Sequence, residues 1–130
     1  MSENIIIIGS SGAIGSGFIR YYENQNSSNV IYSLSRKEIE YSNVNIKNVL
    51  IDIENEETIK SAASICSEQG TFDKIIIATG VLHDENLSPE KSFRYLDKQK
   101  FEKVFSINTF GPAIISRYFI PLLNKEKRSF

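Results

Sequence analysis

The chain has 130 residues, 41% of them hydrophobic and 24% charged, with 15 basic against 16 acidic side chains and a formal net charge of −1. That length accommodates one compact domain, residues 1–130, with its own core; the charge balance excludes a nucleic-acid module built on phosphate contacts, and no run approaches the roughly 18 apolar residues of a membrane span. A single cysteine, Cys66, and a single histidine, His83, exclude an internal disulfide and a zinc centre, and with no signal-peptide core around Ile5 to Ile8 they point to a reducing, cytoplasmic location.

Isoleucine-rich stretches of strand length alternate with segments of helical period, the pattern of βα units feeding a parallel sheet. The pattern predicts strands at residues 4–9, 30–35, 49–52 and 74–78. Ile5-Ile6-Ile7-Ile8 and Ile75-Ile76-Ile77-Ala78 are continuously apolar, which suits central strands covered on both faces. A helix is expected over residues 13–24 with Ile14, Phe18 and Tyr21 or Tyr22 on its buried face, followed by a polar turn. A second helix is expected over residues 55–69, with Ile59, Ala62, Ala63 and Cys66 turned inward and Gly70 as its stop. On that face Cys66 reads as core filler, not as a nucleophile.

Ser88-Pro89-Glu90 marks a further helix start, with serine as cap and proline at the first helical position. The last helix, over residues 98–123, carries Phe101, Val104, Phe105, Ile107, Phe110, Ile114, Ile115, Phe119, Leu122 and Leu123. A helix apolar around most of its circumference is buried on more than one side, so self-association through it is expected.

Gly9-Ser10-Ser11-Gly12-Ala13-Ile14-Gly15 stands where the first strand ends and the first helix begins. Glycines there permit a tight turn and a close backbone approach to a pyrophosphate, and the helix offers unpaired N–H groups and the positive end of its dipole. Ser10 and Ser11 add hydroxyls. The plain alternative is a strand-to-helix turn with no ligand. The glycine spacing departs from Gly-x-Gly-x-x-Gly, and the absence of a Gly-Lys-Ser/Thr triplet excludes a P-loop NTPase.

At the end of the second strand an acid would bond the ribose 2′-OH of NAD, whereas an arginine accommodates the 2′-phosphate of NADP. The chain has Ser33-Leu34-Ser35-Arg36-Lys37 and no acid. NADP is therefore expected over NAD, with Arg36 on the phosphate and Ser35 assisting, the alternative being that Arg36 and Lys37 only solvate a loop. The missing acid also counts against an S-adenosylmethionine-dependent methyltransferase.

These residues resemble the short-chain dehydrogenase/reductase family, in particular its C-factor-like branch, across essentially the whole chain. The resemblance implies a Rossmann-type, doubly wound α/β sheet of order 3-2-1-4, incomplete at four strands. Gly9 to Gly15 is similar to the family's cofactor turn. Asp52 with Ile53 resembles the acid beside the adenine ring, and Ala78-Thr79-Gly80 resembles the Asn-Asn-Ala-Gly signature, with Ile77 where the family carries its structural asparagine. Residues 80–84 and 89–92 suggest the C-factor-like branch, and His83 there reads as a surface residue in preference to a catalyst. Ser106 to Pro112 resembles the catalytic-asparagine segment, which implies that Asn108 holds a water in the proton relay. A structural reading of Asn108, satisfying backbone groups freed near Pro112, stands beside it.

The family's chemistry needs a serine and a tyrosine with a lysine four residues later, on one helical face. The residues four beyond Tyr21, Tyr22, Tyr32, Tyr41, Tyr95 and Tyr118 are Gln25, Asn26, Arg36, Asn45, Gln99 and Leu122. Arg128-Ser129-Phe130 reads as the start of a fifth strand, beyond which those catalytic residues are expected. The expectation is an NADP-binding portion of a carbonyl/alcohol oxidoreductase, inactive as this chain and truncated relative to the family. The alternatives are a non-catalytic dinucleotide-binding sensor or interaction protein, and a structural role through the long helix.

Overall fold

A computed structural model describes residues 2–79, 98–99, 102 and 106–126. Four parallel strands, β1 (Asn4–Ile8), β2 (Val30–Ser35), β3 (Ile46–Leu50) and β4 (Lys74–Ile77), form one sheet of order β3-β2-β1-β4. Helix α1 (Ala13–Gln25) joins β1 to β2, and α2 (Glu56–Ser67) joins β3 to β4. A π-helical turn (Ser106–Phe110) leads into α3 (Gly111–Phe119), which closes in a 3₁₀ turn (Ile120–Leu122). The expected sheet order is the observed one.

Strand alternation divides the core into two layers. Ile6, Ile8, Tyr32, Leu34, Val49 and Ile75 meet α2 and α3 through Ile59, Ala62, Cys66, Ile115 and Phe119 on one face. Ile5, Ile7, Ile31 and Ile46 meet Ile19 and Tyr22 of α1 on the other. All four isoleucines of β1 are fully buried, as a strand covered on both faces requires. The second interior strand is β2. Among the described strands β4 is marginal, and Ile76 and Ile77 are only half-buried.

Several elements differ from their expected positions for identifiable reasons. β3 begins at Ile46, earlier than residue 49, because pairing with β2 starts at Ile31 opposite Ile46 and ends at Ser35 opposite Leu50. As an edge strand it is only partly covered: Ile46 is buried in one layer and Val49 in the other, while Lys47 and Leu50 are exposed. Asp52 lies beyond it, in a turn where its N–H and carbonyl both bond the Thr58 hydroxyl, at 2.9 Å and 2.7 Å. In α1 the buried residues are Gly15, Ile19 and Tyr22, whereas Ile14 is 70% and Tyr21 58% exposed. That helix is rotated from its expected phase because its first turn sits directly on the end of β1.

The expected inward face of α2, Ile59, Ala62, Ala63 and Cys66, is the observed one. Asn55 is its cap, accepting the Glu57 N–H on its side chain. The expected continuous helix over residues 98–123 is interrupted. Pro112 has no N–H for the carbonyl four residues back, that of Asn108, and the ladder there runs in π register before α3 begins. Ile115 and Phe119 are buried, while Phe110 and Ile120 are exposed. The helix start at Ser88 lies outside the described residues, as does Arg128 to Phe130. Residues 122–124 nevertheless reach the outer edge of β4: Leu123 forms a parallel bridge with Phe72, whose N–H donates to Leu122 and whose carbonyl accepts from Asn124, each at 2.8 Å.

Complete burial in an apolar layer pushes the Cys66 thiol up to about 12. In the unfolded chain it ionises in its usual range near 9, so between those values the unfolded state holds fewer protons and stability falls as pH rises, by up to about 1.4 kcal/mol per pH unit. Below that range the contribution is fully present. Urea titrations across it are expected to show this slope in the wild type and its loss in Cys66→Ala, and a thiol reagent is expected to label Cys66 only after unfolding.

Candidate functional site

Parallel strands place all their carboxyl ends on one edge of the sheet. The chain leaves β1 toward β2 and β3 on one side and returns to β4 on the other, so the switch point lies between β1 and β4. In open α/β sheets the crevice outside such a point is where ligands bind. Here it is bounded by residues 9–15 and by Ala78 and Thr79.

The glycine turn is shaped by two close approaches. Gly9 has φ +89°, and a Cβ there would stand 2.8 Å from the carbonyl carbon and oxygen of Ala78 and 2.9 Å from the Thr79 nitrogen. Gly15, in the first turn of α1, lies against the same residue from above: a Cβ would fall onto the Gly9 carbonyl oxygen and within 2.9 Å of the Ser10 Cα. Backbone therefore packs on backbone, with no side chain between strand end, helix start and the neighbouring strand. The Gly9 and Ser10 N–H groups both donate to the Leu34 carbonyl of β2, at 2.8 Å and 3.2 Å, and Ala78 N–H donates to Ile8 at 2.7 Å. Gly12 is different, since its nearest neighbour is Gly9 O at 3.6 Å.

Gly12 caps α1 without a side chain, and the first turn of the helix holds no acid. Within the turn Gly12 N–H bonds Gly9 and Ser16 N–H bonds Gly12, leaving the N–H groups of Ser11, Ala13, Ile14 and Gly15 without an acceptor among the described residues. α2 differs on both counts, with Asn55 as cap and Glu56 and Glu57 in its first turn. A helix start that carries its own acids has its dipole answered; a bare one offers donors and positive potential to an anion.

The other expected residues gather on this edge. Ser35 is buried, and its hydroxyl donates to the Lys37 carbonyl and accepts the Lys37 N–H, at 3.1 Å and 3.2 Å, which fixes the turn that exposes Arg36. Asp52 is half-buried with one carboxylate oxygen accepting the Glu54 N–H at 3.0 Å, and Ile53 packs against the core. Thr79 Oγ1 is buried without a hydrogen-bond partner among the described residues. Ser11 is exposed, whereas Ser10 is buried and its hydroxyl accepts from Ser33 at 2.7 Å. Gly80 and His83 lie outside the described residues.

α3 ends beside Phe72 at the start of β4, so its N-terminal end and the π-helical turn before it lie toward the carboxyl edge. Asn108 is exposed in that turn. π-helical turns recur at functional positions because they displace one side chain from the regular ladder. Two features escape a sequence reading. The hydroxyl chain Tyr41–Ser33–Ser10 had one signal, a serine at the centre of an apolar strand; the buried, unpaired Asn48 Oδ1 had none.

The residues fit a dinucleotide. The unpaired N–H groups of α1 suit a pyrophosphate, the open Gly12 admits it to the backbone, Thr79 Oγ1 lacks a partner among the described residues, and Arg36 is an exposed cation directly after β2. Among the described residues there is no cluster of three or more His, Cys, Asp or Glu side chains able to hold a metal ion, and no helix is long and apolar enough to cross a membrane.

Comparison with known proteins agrees. The sequence pattern of the family described as short chain dehydrogenase matches residues 3–129. A short-chain dehydrogenase of Penicillium roqueforti is 30% identical over 93 residues, which is 70% of this chain and 34% of that protein. Among solved structures, a short-chain dehydrogenase/reductase of Saccharomyces cerevisiae superposes with TM-score 0.80 at 21% identity, over 94% of this chain and 49% of that one. An NADPH-bound carbonyl reductase from chicken fatty liver superposes with TM-score 0.76 at 15% identity, over 93% and 48%. The chain thus spans about a third of the curated relative and about half of each of these solved structures.

The contacts rank the three glycines. Gly9→Ala and Gly15→Ala are each expected to cost at least about 2 kcal/mol, through forced backbone displacement. Gly12→Ala is expected to cost less than about 1 kcal/mol, the difference between glycine and alanine at a cap. Urea denaturation of the three variants checks the order.

Proposed function

The chain belongs to the short-chain dehydrogenase family, and we propose that it forms the NADP(H)-holding part of an oxidoreductase acting between carbonyl and alcohol forms of a small molecule. The family binds nicotinamide dinucleotides. The observation that carries the reading is the bare N-terminus of α1 set over the Gly9–Gly15 crossing at the switch point of the sheet. The preference for NADP(H) over NAD(H) rests on Arg36, exposed at the end of β2 where no acid stands. The carbonyl reductase with NADPH bound is a supporting parallel.

In this reading the N–H groups of Ser11, Ala13, Ile14 and Gly15 bind the pyrophosphate, with the Ser11 hydroxyl beside them. Arg36 pairs with the 2′-phosphate through its planar fork of donors, while Ser35 holds the turn that presents it. Asp52 and Ile53 border the adenine, and Ala78 and Thr79 lie along the nicotinamide half. A bound nicotinamide supplies or accepts the hydride. Asn108 holds a water for the proton that accompanies it.

No tyrosine of the chain is followed four residues later by lysine. The group that gives the substrate its proton is therefore not among these residues, and we propose that they bind nucleotide without turning over a carbonyl substrate by themselves. The same observation supports a second reading, a non-catalytic nucleotide sensor or interaction protein of the cytoplasm. Exposed Phe110 and Ile120, beside the buried Ile115 and Phe119, support self-association through this part of the chain in either case.

Nicotinamide fluorescence titrations provide the test. NADPH is expected to bind at least about tenfold more tightly than NADH, and Arg36→Ala to abolish most of that difference, as loss of a charge-assisted pair worth about 1.5–3 kcal/mol implies. Equal affinity of the wild type for both nucleotides would contradict the assignment, and NADPH oxidation by the chain alone with carbonyl substrates would contradict the proposed lack of turnover.

A further inference from the structure

The connection from β2 to β3, residues 36–45, contains no helix. The sheet face that carries Ile31 and Ile46 is instead covered there by Tyr41, half-buried against that layer. Its hydroxyl lies 2.7 Å from Ser33 Oγ, and Ser33, fully buried in the middle of β2, donates to Ser10 Oγ at 2.7 Å. With the Ser33 hydrogen so used, Tyr41 is the donor to Ser33. Three hydroxyls thus join the connection to the glycine turn through the interior of the sheet, where each unmade bond would leave a buried polar group unsatisfied.

The two ends of this chain are unequally held. The glycine turn is pinned separately by the Gly9 and Ser10 N–H groups on Leu34. Next to Arg36, the connection is held by Ser35 on the Lys37 backbone and by Asn48 Nδ2 on the Lys37 carbonyl at 3.3 Å; farther along, Asn43 bonds Glu23 at 3.1 Å. Those bonds span the polypeptide near the surface, and the Tyr41 hydroxyl ties it to the sheet interior.

We propose that Tyr41, acting through Ser33, is a positioning residue that sets the preference for NADPH over NADH by anchoring the connection that carries Arg36; this rests on the dinucleotide reading above. The pyrophosphate contacts are common to both nucleotides and independent of Tyr41. The 2′-phosphate contact belongs to NADPH alone and depends on where Arg36 is held.

Tyr41→Phe keeps the ring that packs against this core layer and removes the hydroxyl. It is expected to raise the NADPH Kd about fivefold, the effect of one hydrogen bond, and to change the NADH Kd by less than about twofold. Ser33→Ala is expected to do the same, and stands in if the tyrosine variant fails to fold. In the Arg36→Ala background, Tyr41→Phe is expected to leave the NADPH Kd unchanged, because the group it positions is gone. Equal weakening of both nucleotides, the same change with and without Arg36, or no change at all would overturn the proposal and leave the dinucleotide site standing. A wild type in which Arg36→Ala does not alter the NADPH to NADH ratio would instead remove the Arg36 assignment itself, and the Tyr41 proposal with it.

Discussion

The close approach of Gly9, Gly15 and Ala78 is the constraint on which the rest of this fold depends. Three backbone segments, the end of β1, the first turn of α1 and the end of β4, meet with no side chain between them. That contact sets the rotation of α1 about its axis, so that Ile19 and Tyr22 reach the sheet while Ile14 and Tyr21 do not. It also sets the lateral spacing of β1 and β4, and hence the mouth of the crevice at the switch point. A methyl group at Gly9 or Gly15 would change all of these at once, because the atoms it would meet are main chain and have no alternative rotamer.

The same contact explains why the site lies where it does. A helix start seated on glycine backbone has N–H groups with no acceptor among the described residues, and the absence of a side-chain cap or acid leaves them suited to an anion. α2, which faces the other core layer, is capped and acid-bearing at its start, and its role is packing through Ile59, Ala62 and Cys66. Two helices of similar length on opposite faces of one sheet thus differ in the chemistry of their first turns. That difference separates a helix start open to an anion from one whose dipole is already answered.

Much of this was legible in the residues. The run Ile5 to Ile8 marked a strand buried on both faces, the run Ile75 to Ile77 marked a strand though not its marginal place, and the inward face of α2 was spaced as found. The start of β3 was not legible, since it depends on which residue of β2 it pairs with, a contact between distant segments. The phase of α1 was not legible either. Periodicity weighs side chains, and the residue that orients this helix is Gly15, which has none. The long final helix read as continuous because hydrophobic spacing does not register the missing N–H of Pro112, which shifts the ladder into a π-helical turn at Asn108.

The sheet order came from family likeness; the order of residues by itself determined the fold class, the anion-suited turn and the cation after β2. These follow from local chemistry: apolar runs bury themselves, glycine permits positive φ, and arginine carries a fixed charge. Only the tertiary structure decided which glycines are sterically required, which serine faces outward and which is buried, and that Tyr41 reaches Ser33 across the sheet. Those outcomes are set by distances between separate segments of the chain, and such distances arise from the simultaneous packing of both layers against one sheet.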